Sequence, residues 1–157
     1  MDHPKDVGDR TTLATMLALR DTGFAVFVPF GKNTRCDLVI DDGTRLARVQ
    51  CKTGRLRAGA VRFAVCSCYG HHLHPGEARR DYHGEIDYFV VHCPDTTGVY
   101  LVPIEHLPVK VEATLRVEPA RNCQRRGIRL AADYEISRIS VSRGELRVSS
   151  GARAPSA

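Results

Sequence analysis

Asp37, Gln50 and Lys52 put an acid, an amide and a cation into one short stretch of the chain. A hard divalent cation such as Mg²⁺ or Mn²⁺ takes oxygen ligands. Asp37 can supply a carboxylate, Gln50 a neutral carbonyl oxygen, and the backbone carbonyl of Cys51 a third donor. Lys52 then sets positive charge beside an attacking water or a phosphate. The set suits metal-assisted hydrolysis of a phosphodiester. The plainer reading is a surface hairpin with solvated charges, because charged outer faces are routine on half-exposed sheets.

Whether these groups can act together depends on the elements that carry them. Asp41-Asp42-Gly43-Thr44 is a tight-turn sequence between two strand-like runs, 36–40 and 46–51. With the tip at Asp42-Gly43, Asp41 faces Thr44 and Asp37 faces Arg48. Side chains alternate along a strand, so Asp37, Arg48, Gln50 and Lys52 share one face, with Gln50 diagonal to Asp37. Leu38, Ala47, Val49 and Cys51 share the other, apolar face.

Around the hairpin, Thr11 to Thr22 reads as a helix with Leu13, Met16, Leu17 and Leu19 at helical spacing, Asp9 or Thr11 as its cap and Gly23 as its end. Further strand-like runs are 24–28, 61–66, 88–92 and 99–102, the last two split by a turn at Pro94 to Gly98. Ile104 to Leu107 is one helical turn between prolines. Leu115-Arg116-Val117 and Tyr134-Glu135-Ile136 are weaker elements. A helix leading into a strand-rich centre gives an α/β chain of the α+β kind. The chain has 157 residues, 43% of them hydrophobic, which suits one core. We expect a single domain over residues 1–145 and a small, polar tail over 146–157.

The 23 basic against 18 acidic residues give a net charge of +5, and the pI is near 9.0. That excess favours a polyanionic partner such as nucleic acid. No apolar run spans a bilayer, and the start lacks the basic-then-apolar layout of a signal peptide. A cytoplasmic location and reduced cysteines are therefore expected.

Asp37 followed thirteen residues later by Gln50-Cys51-Lys52 resembles the core motif of PD-(D/E)XK nucleases. The runs Val28 to Val39 and Arg48 to Leu56 resemble, more narrowly, the branch of group I intron homing endonucleases with a restriction-endonuclease-like fold. In that branch Gln stands where the motif usually has Asp or Glu. The likeness continues through His83 to Phe89 and Gly98 to Pro103, covering roughly residues 5 to 108. It implies a mixed sheet flanked by helices: a first helix, a three-stranded antiparallel section, a second helix and further strands. It also implies DNA cleavage with Mg²⁺ and a homodimer or homotetramer. Asp37 would be the metal carboxylate, Gln50 the second ligand and Lys52 the catalytic cation. Cys36 replaces the motif's proline, which does no chemistry. The family's first helix carries a glutamate near the metal, and the matching place here is Thr12 or a residue beside it.

Arg48 on the polar face, and Arg55 and Arg57 just past Lys52, are candidate DNA phosphate contacts. Arg62, Arg79-Arg80 and the basic run Arg121 to Arg129 are further basic positions. Cys66, Cys68, His71, His72, His74 and His83 crowd one stretch, and thiolate and imidazole bind zinc. Four readings follow. The first is a metal-dependent DNA endonuclease like the homing enzymes. The others are a Holliday-junction resolvase-like nuclease on the same core, a non-catalytic DNA-binding module that kept the fold, and a Cys/His zinc domain.

Overall fold

The structure is a computed structural model describing residues 3–31, 33–68, 79–119, 122, 125–142 and 145–148. Its first element, α1 (Pro4–Thr22), begins seven residues earlier than the apolar periodicity indicates. The cap is His3, whose Nδ1 accepts from the Lys5 N–H at 3.3 Å, and not Asp9 or Thr11. Pro4 stands in the first turn, where its missing N–H costs nothing. This early part is polar and exposed, so no hydrophobic stripe marks it. The helix buries Thr11, Thr15 and Leu19, four residues apart. It ends at Gly23, left-handed at φ 104°. Phe24, fully buried, then docks back with its N–H on the Leu19 carbonyl, and burial of such a ring is worth about 2–3 kcal/mol.

A five-stranded mixed sheet forms the centre. It contains β1 (Ala25–Phe27), β2 (Leu38–Asp41), β3 (Leu46–Thr53), β8 (Tyr88–Cys93) and β9 (Gly98–Pro103), in the order β1-β2-β3-β8-β9. β3 and β8 run parallel, and the other pairs are antiparallel. The three-stranded antiparallel section implied by the resemblance is thus β1-β2-β3.

The hairpin register differs from the expected one. Asp41 pairs with Leu46, and Leu38 with Val49, a slip of two residues. The turn is a four-residue loop, 42–45, and the cause is Asp42. Its buried carboxylate accepts from the Thr44 N–H, the Thr44 hydroxyl and the Arg45 N–H at 2.9, 2.7 and 2.9 Å, and so organises a longer loop.

After β3 the chain leaves the central sheet at Gly54. A Cβ there would lie 2.6 Å from Val61 and 3.0 Å from Val91, so only glycine lets the layers close. A second antiparallel sheet follows, ordered β10-β5-β4 from β4 (Arg55–Arg57), β5 (Ala60–Ala64) and β10 (Glu112–Arg116). It covers one face of the central sheet through Val61, Phe63, Phe89, Val91 and Leu115. α1 covers the other, over Leu19, Phe24, Leu38, Val49 and Val90. Among the described residues α1 is the sole α-helix, and the described part of the connection from β3 to β8 is β-structure.

Smaller pieces complete the fold. β6 (Cys66–Cys68) pairs with β7 (Arg79–Asp81). Ile104–His106 forms the expected helical turn, of 3-10 type. The weak run at 134–136 leads from one 3-10 turn, Ala131–Asp133, into a second, Ile136–Arg138, and touches the sheet by a bridge from Glu135 to Tyr100. β11 (Ile139–Ser142) pairs with β12 (Glu145–Val148), which spans the junction expected between domain and tail. Residues 149–157 lie outside the described residues. Among the described residues no helix is long and apolar enough to cross a membrane.

Candidate active site

Alternation along β3 sends Ala47, Val49 and Cys51 into the α1 side of the core and leaves Arg48, Gln50 and Lys52 on the opposite face. Asp37 lies just ahead of β2, its N–H on the Val49 carbonyl at 2.9 Å. With the observed register it stands opposite Gln50, not Arg48. The two-residue slip preserves the face, because side-chain direction repeats every two residues. Asp37 Oδ2 accepts from Gln50 Nε2 at 2.7 Å and from the Cys51 N–H at 3.0 Å.

The β2 ladder ends at Leu38 opposite Val49, so Cys51 lies beyond it. In an antiparallel ladder a residue's N–H and C=O point toward the same neighbour. The Cys51 N–H points at Asp37, and its carbonyl therefore faces the same gap at the start of β2. One carboxylate, one amide and one backbone carbonyl meet there.

Burial pushes the Asp37 carboxyl up, and the Cys51 N–H and the Lys52 charge pull it down without cancelling that effect. The Cys51 thiol is pushed up to about 12 by burial, against its hydrogen bond with Thr15. It is an inert thiol, and the backbone is the part of Cys51 that can serve a cation.

Lys52 is held from outside the hairpin. Its Nζ donates to the Cys66 carbonyl at 3.2 Å and to the Tyr82 hydroxyl at 3.4 Å, and sits 4.8 Å from the Tyr82 ring centroid. The Arg35 guanidinium lies 4.1 Å from the same centroid. Arg35 also donates to Ser67 Oγ at 2.9 Å and to the Asp81 carbonyl at 2.7 Å, and pairs with Glu85, which takes Arg80 as well. Sequence reasoning gave no role to Tyr82 or Arg35. Arg35 precedes Asp37 by two residues, and that spacing was its one signal. Tyr82 arrives from a distant segment and had none.

On the α1 side, Thr11 shares a 2.6 Å hydrogen bond with Thr53, and Thr15 lies 3.2 Å from Cys51 Sγ. Thr12, on the same helix, donates to the Gly8 carbonyl at 3.1 Å. Where the resemblance puts a glutamate, the helix presents hydroxyls.

The arginines separate. The Arg48 N–H and Nε reach Asp87 Oδ2 at 2.7 and 3.4 Å, so its charge is matched beside the site. Arg55 and Arg57 lie past the Gly54 crossing, exposed on the outer face of the second sheet. The Cys/His stretch lies partly outside the described residues, namely His71, His72, His74 and the Cys68 side chain. Of the rest, His83 Nε2 lies 3.0 Å from the Leu107 carbonyl, and the buried Cys66 Sγ lies 3.7 Å from the Val111 carbonyl. Among the described residues no three His, Cys, Asp or Glu groups gather as a metal site.

The profile of the PD-(D/E)XK endonuclease family matches residues 2–137 of this chain. Among solved structures, that of a bacterial homing endonuclease is similar, with a TM-score of 0.70 over 87% of this chain and 90% of that one, at 21% identity. No curated protein matches the chain.

Proposed function

The chain belongs to the PD-(D/E)XK endonuclease family, and on that premise we propose that it hydrolyses DNA phosphodiester bonds with Mg²⁺ or Mn²⁺, in the manner of a homing endonuclease. The observation that carries this reading is the meeting of Asp37, Gln50 and the Cys51 backbone at the start of β2, with Lys52 on the same face. The donors are hard oxygens, which suits Mg²⁺ better than a thiophilic metal. Asp37 is an acid whose burial is incompletely compensated, and a cation in the gap would complete the compensation.

Asp37, the Gln50 amide oxygen and the Cys51 carbonyl would hold that cation. Bound there, it supplies Lewis-acid stabilisation of charge on the phosphate. Gln50 now turns its NH₂ toward Asp37, and rotation about its soft terminal torsion presents the oxygen instead. Lys52 brings positive charge to the charge that develops as the phosphodiester is attacked. Tyr82 and the Cys66 carbonyl fix the reach of that ammonium. Cleavage of linear, branched and supercoiled DNA with Mg²⁺ or Mn²⁺ tests the proposal, and Lys52→Ala should lose cleavage while retaining DNA binding. A protein that binds DNA yet cuts none of these substrates with any divalent metal would overturn it.

That outcome would favour a second reading, a non-catalytic DNA-binding member of the family. It is supported by Thr12, at the place of the family's helix glutamate, which leaves Asp37 as the carboxylate of the gap. Thr12→Glu is then the substitution that should restore cleavage.

We also propose self-association, since cutting both strands of a duplex needs two sites and symmetric pairing supplies them. Leu13 and Leu17 are 66% and 64% exposed one turn apart on α1, and Phe27, Val28 and Phe30 are exposed along and beyond edge strand β1. Light scattering that gives a monomer mass with and without DNA would count against it.

A further inference from the structure

The outer face of the β10-β5-β4 sheet carries arginines that no role in catalysis explains. Arg55 stands directly across from Arg62, and Arg57 is two strands away from Arg116 through Ala60. Like charges set directly opposite on a sheet destabilise it, so this arrangement is not there for stability. Beside it is a cleft of about 320 Å³ lined by Arg57, Arg62, Arg116, Arg129 and Asn122, among others. No acidic residue lines the cleft among the described residues. Glu112 lies 3.6 Å from Arg62 in an exposed pair and is not part of the lining.

Two of these guanidiniums are already oriented. Arg116 donates from Nε to the Glu118 carbonyl at 3.1 Å and from Nη1 to the Ala58 carbonyl at 3.0 Å. Arg129 donates from Nε to the His106 carbonyl at 2.8 Å. An arginine has five N–H donors, so both keep donors for a ligand. Their anchoring lowers the entropy cost of binding one.

We propose that this cleft is a second DNA site, which grips backbone phosphates away from the bond that is cut. Planar guanidinium forks match phosphate oxygens. Among the described residues no aromatic ring or imidazole is in the lining, and so none offers a platform on which a base could stack. That favours the backbone of a polynucleotide over a free nucleotide. Continuity with the active site points the same way. β4 follows β3 through Gly54, and Arg57 is five residues beyond Lys52, no more than about 17 Å along extended chain. That span corresponds to about five base-pair steps of duplex. The choice of DNA as ligand rests on the endonuclease reading.

The test is duplex DNA binding in EDTA, followed by fluorescence anisotropy across a salt series, so that binding is scored without cleavage. Arg57→Ala with Arg62→Ala is compared with Lys5→Ala with Lys110→Ala, a pair of exposed cations off the cleft. Each lost phosphate contact removes about 0.9 from the slope of log K against log salt. The cleft pair should lower the slope by about two and weaken binding about tenfold at moderate salt, and the control pair should leave the slope unchanged. Arg57→Gln with Arg62→Gln gives the same readout if the alanine pair melts early. Equal loss in both pairs, or no loss in the cleft pair, overturns the proposal. A protein that cuts DNA with an unchanged slope sinks the cleft and leaves the nuclease standing. One that never cuts, yet loses slope only in the cleft pair, sinks the nuclease and leaves the cleft.

Discussion

Asp37 and Asp42 flank the same short strand, and the fold treats the two acids in opposite ways. At the hairpin tip, burial alone would raise the Asp42 carboxyl, but three hydrogen bonds from Thr44 and Arg45 outweigh it and hold the group below the usual carboxylate range. At the hairpin base, Asp37 accepts from Gln50 and Cys51, and burial still keeps it above that range. Asp42 is a structural acid whose partners come from its own loop. Asp37 is an acid left incompletely satisfied, at the place where three oxygen-bearing groups meet. Such incomplete satisfaction is what a site that recruits a cation requires, and it is uncommon where stability is the only demand.

The largest expected effect tests this division of labour. Asp37→Asn should lower cleavage by at least about a thousandfold, since it removes the carboxylate that anchors the metal. Asp42→Asn should leave the rate within about twofold, because its loop is remote from Lys52 and Gln50. A cleavage assay at saturating DNA decides it. If both variants lose activity equally, the hairpin acts as one unit and the contrast between its two acids fails.

A smaller effect lies in stability. Asp42→Ala strips the partner from the Thr44 and Arg45 N–H groups and should cost about 2 kcal/mol, or a fall in Tm of about 4–8 °C for a chain of this size. Asp42→Asn keeps an acceptor and should cost less. A Tm that is unchanged in Asp42→Ala would mean that the loop is organised by something else.

The hairpin also shows what was legible in the sequence. Asp37, Gln50 and Lys52 could be placed on one face although the assumed turn was two residues too short, because a slip of two leaves every side chain on its face. Their apolar neighbours Val49 and Cys51 fixed which face is buried. The loop itself was misread because Asp42-Gly43 looks like a two-residue tip, whereas the burial of Asp42 is a tertiary fact. The start of α1 was missed because its first turns are polar and mostly exposed and so carry no stripe. Tyr82 and the Cys66 carbonyl, which hold Lys52, come from separate segments and have no local pattern. The arginine cleft is assembled from β4, β5, β10 and the segment near Arg129. Arg55, Arg57, Arg62 and the basic run ending at Arg129 could be noticed along the chain, but their concave arrangement needs the register of three strands.

The smallest expected effect is a pair of opposite pH slopes in thermal stability, measured in EDTA. Both acids start from the same ordinary value of 3.8. Asp42 is lowered in the folded state, so the unfolded chain binds its proton more readily. Its contribution is present above about pH 4 and is lost as pH falls through the lowered value. Asp37 is raised, so the folded chain holds its proton longer. Its contribution is complete below about pH 4 and is lost as pH rises through the raised value, where the buried anion becomes a cost. Removing Asp37 by Asn should therefore raise Tm in EDTA at pH 7 and abolish the falling slope, and Asp42→Asn should remove the rising one. Adding Mg²⁺ at pH 7 should raise the Tm of the unsubstituted protein and leave that of Asp37→Asn unchanged, because a ligand stabilises only the state that binds it. An Asp37→Asn protein less stable than its parent at pH 7 in EDTA would show that this carboxylate, like Asp42, belongs to the framework.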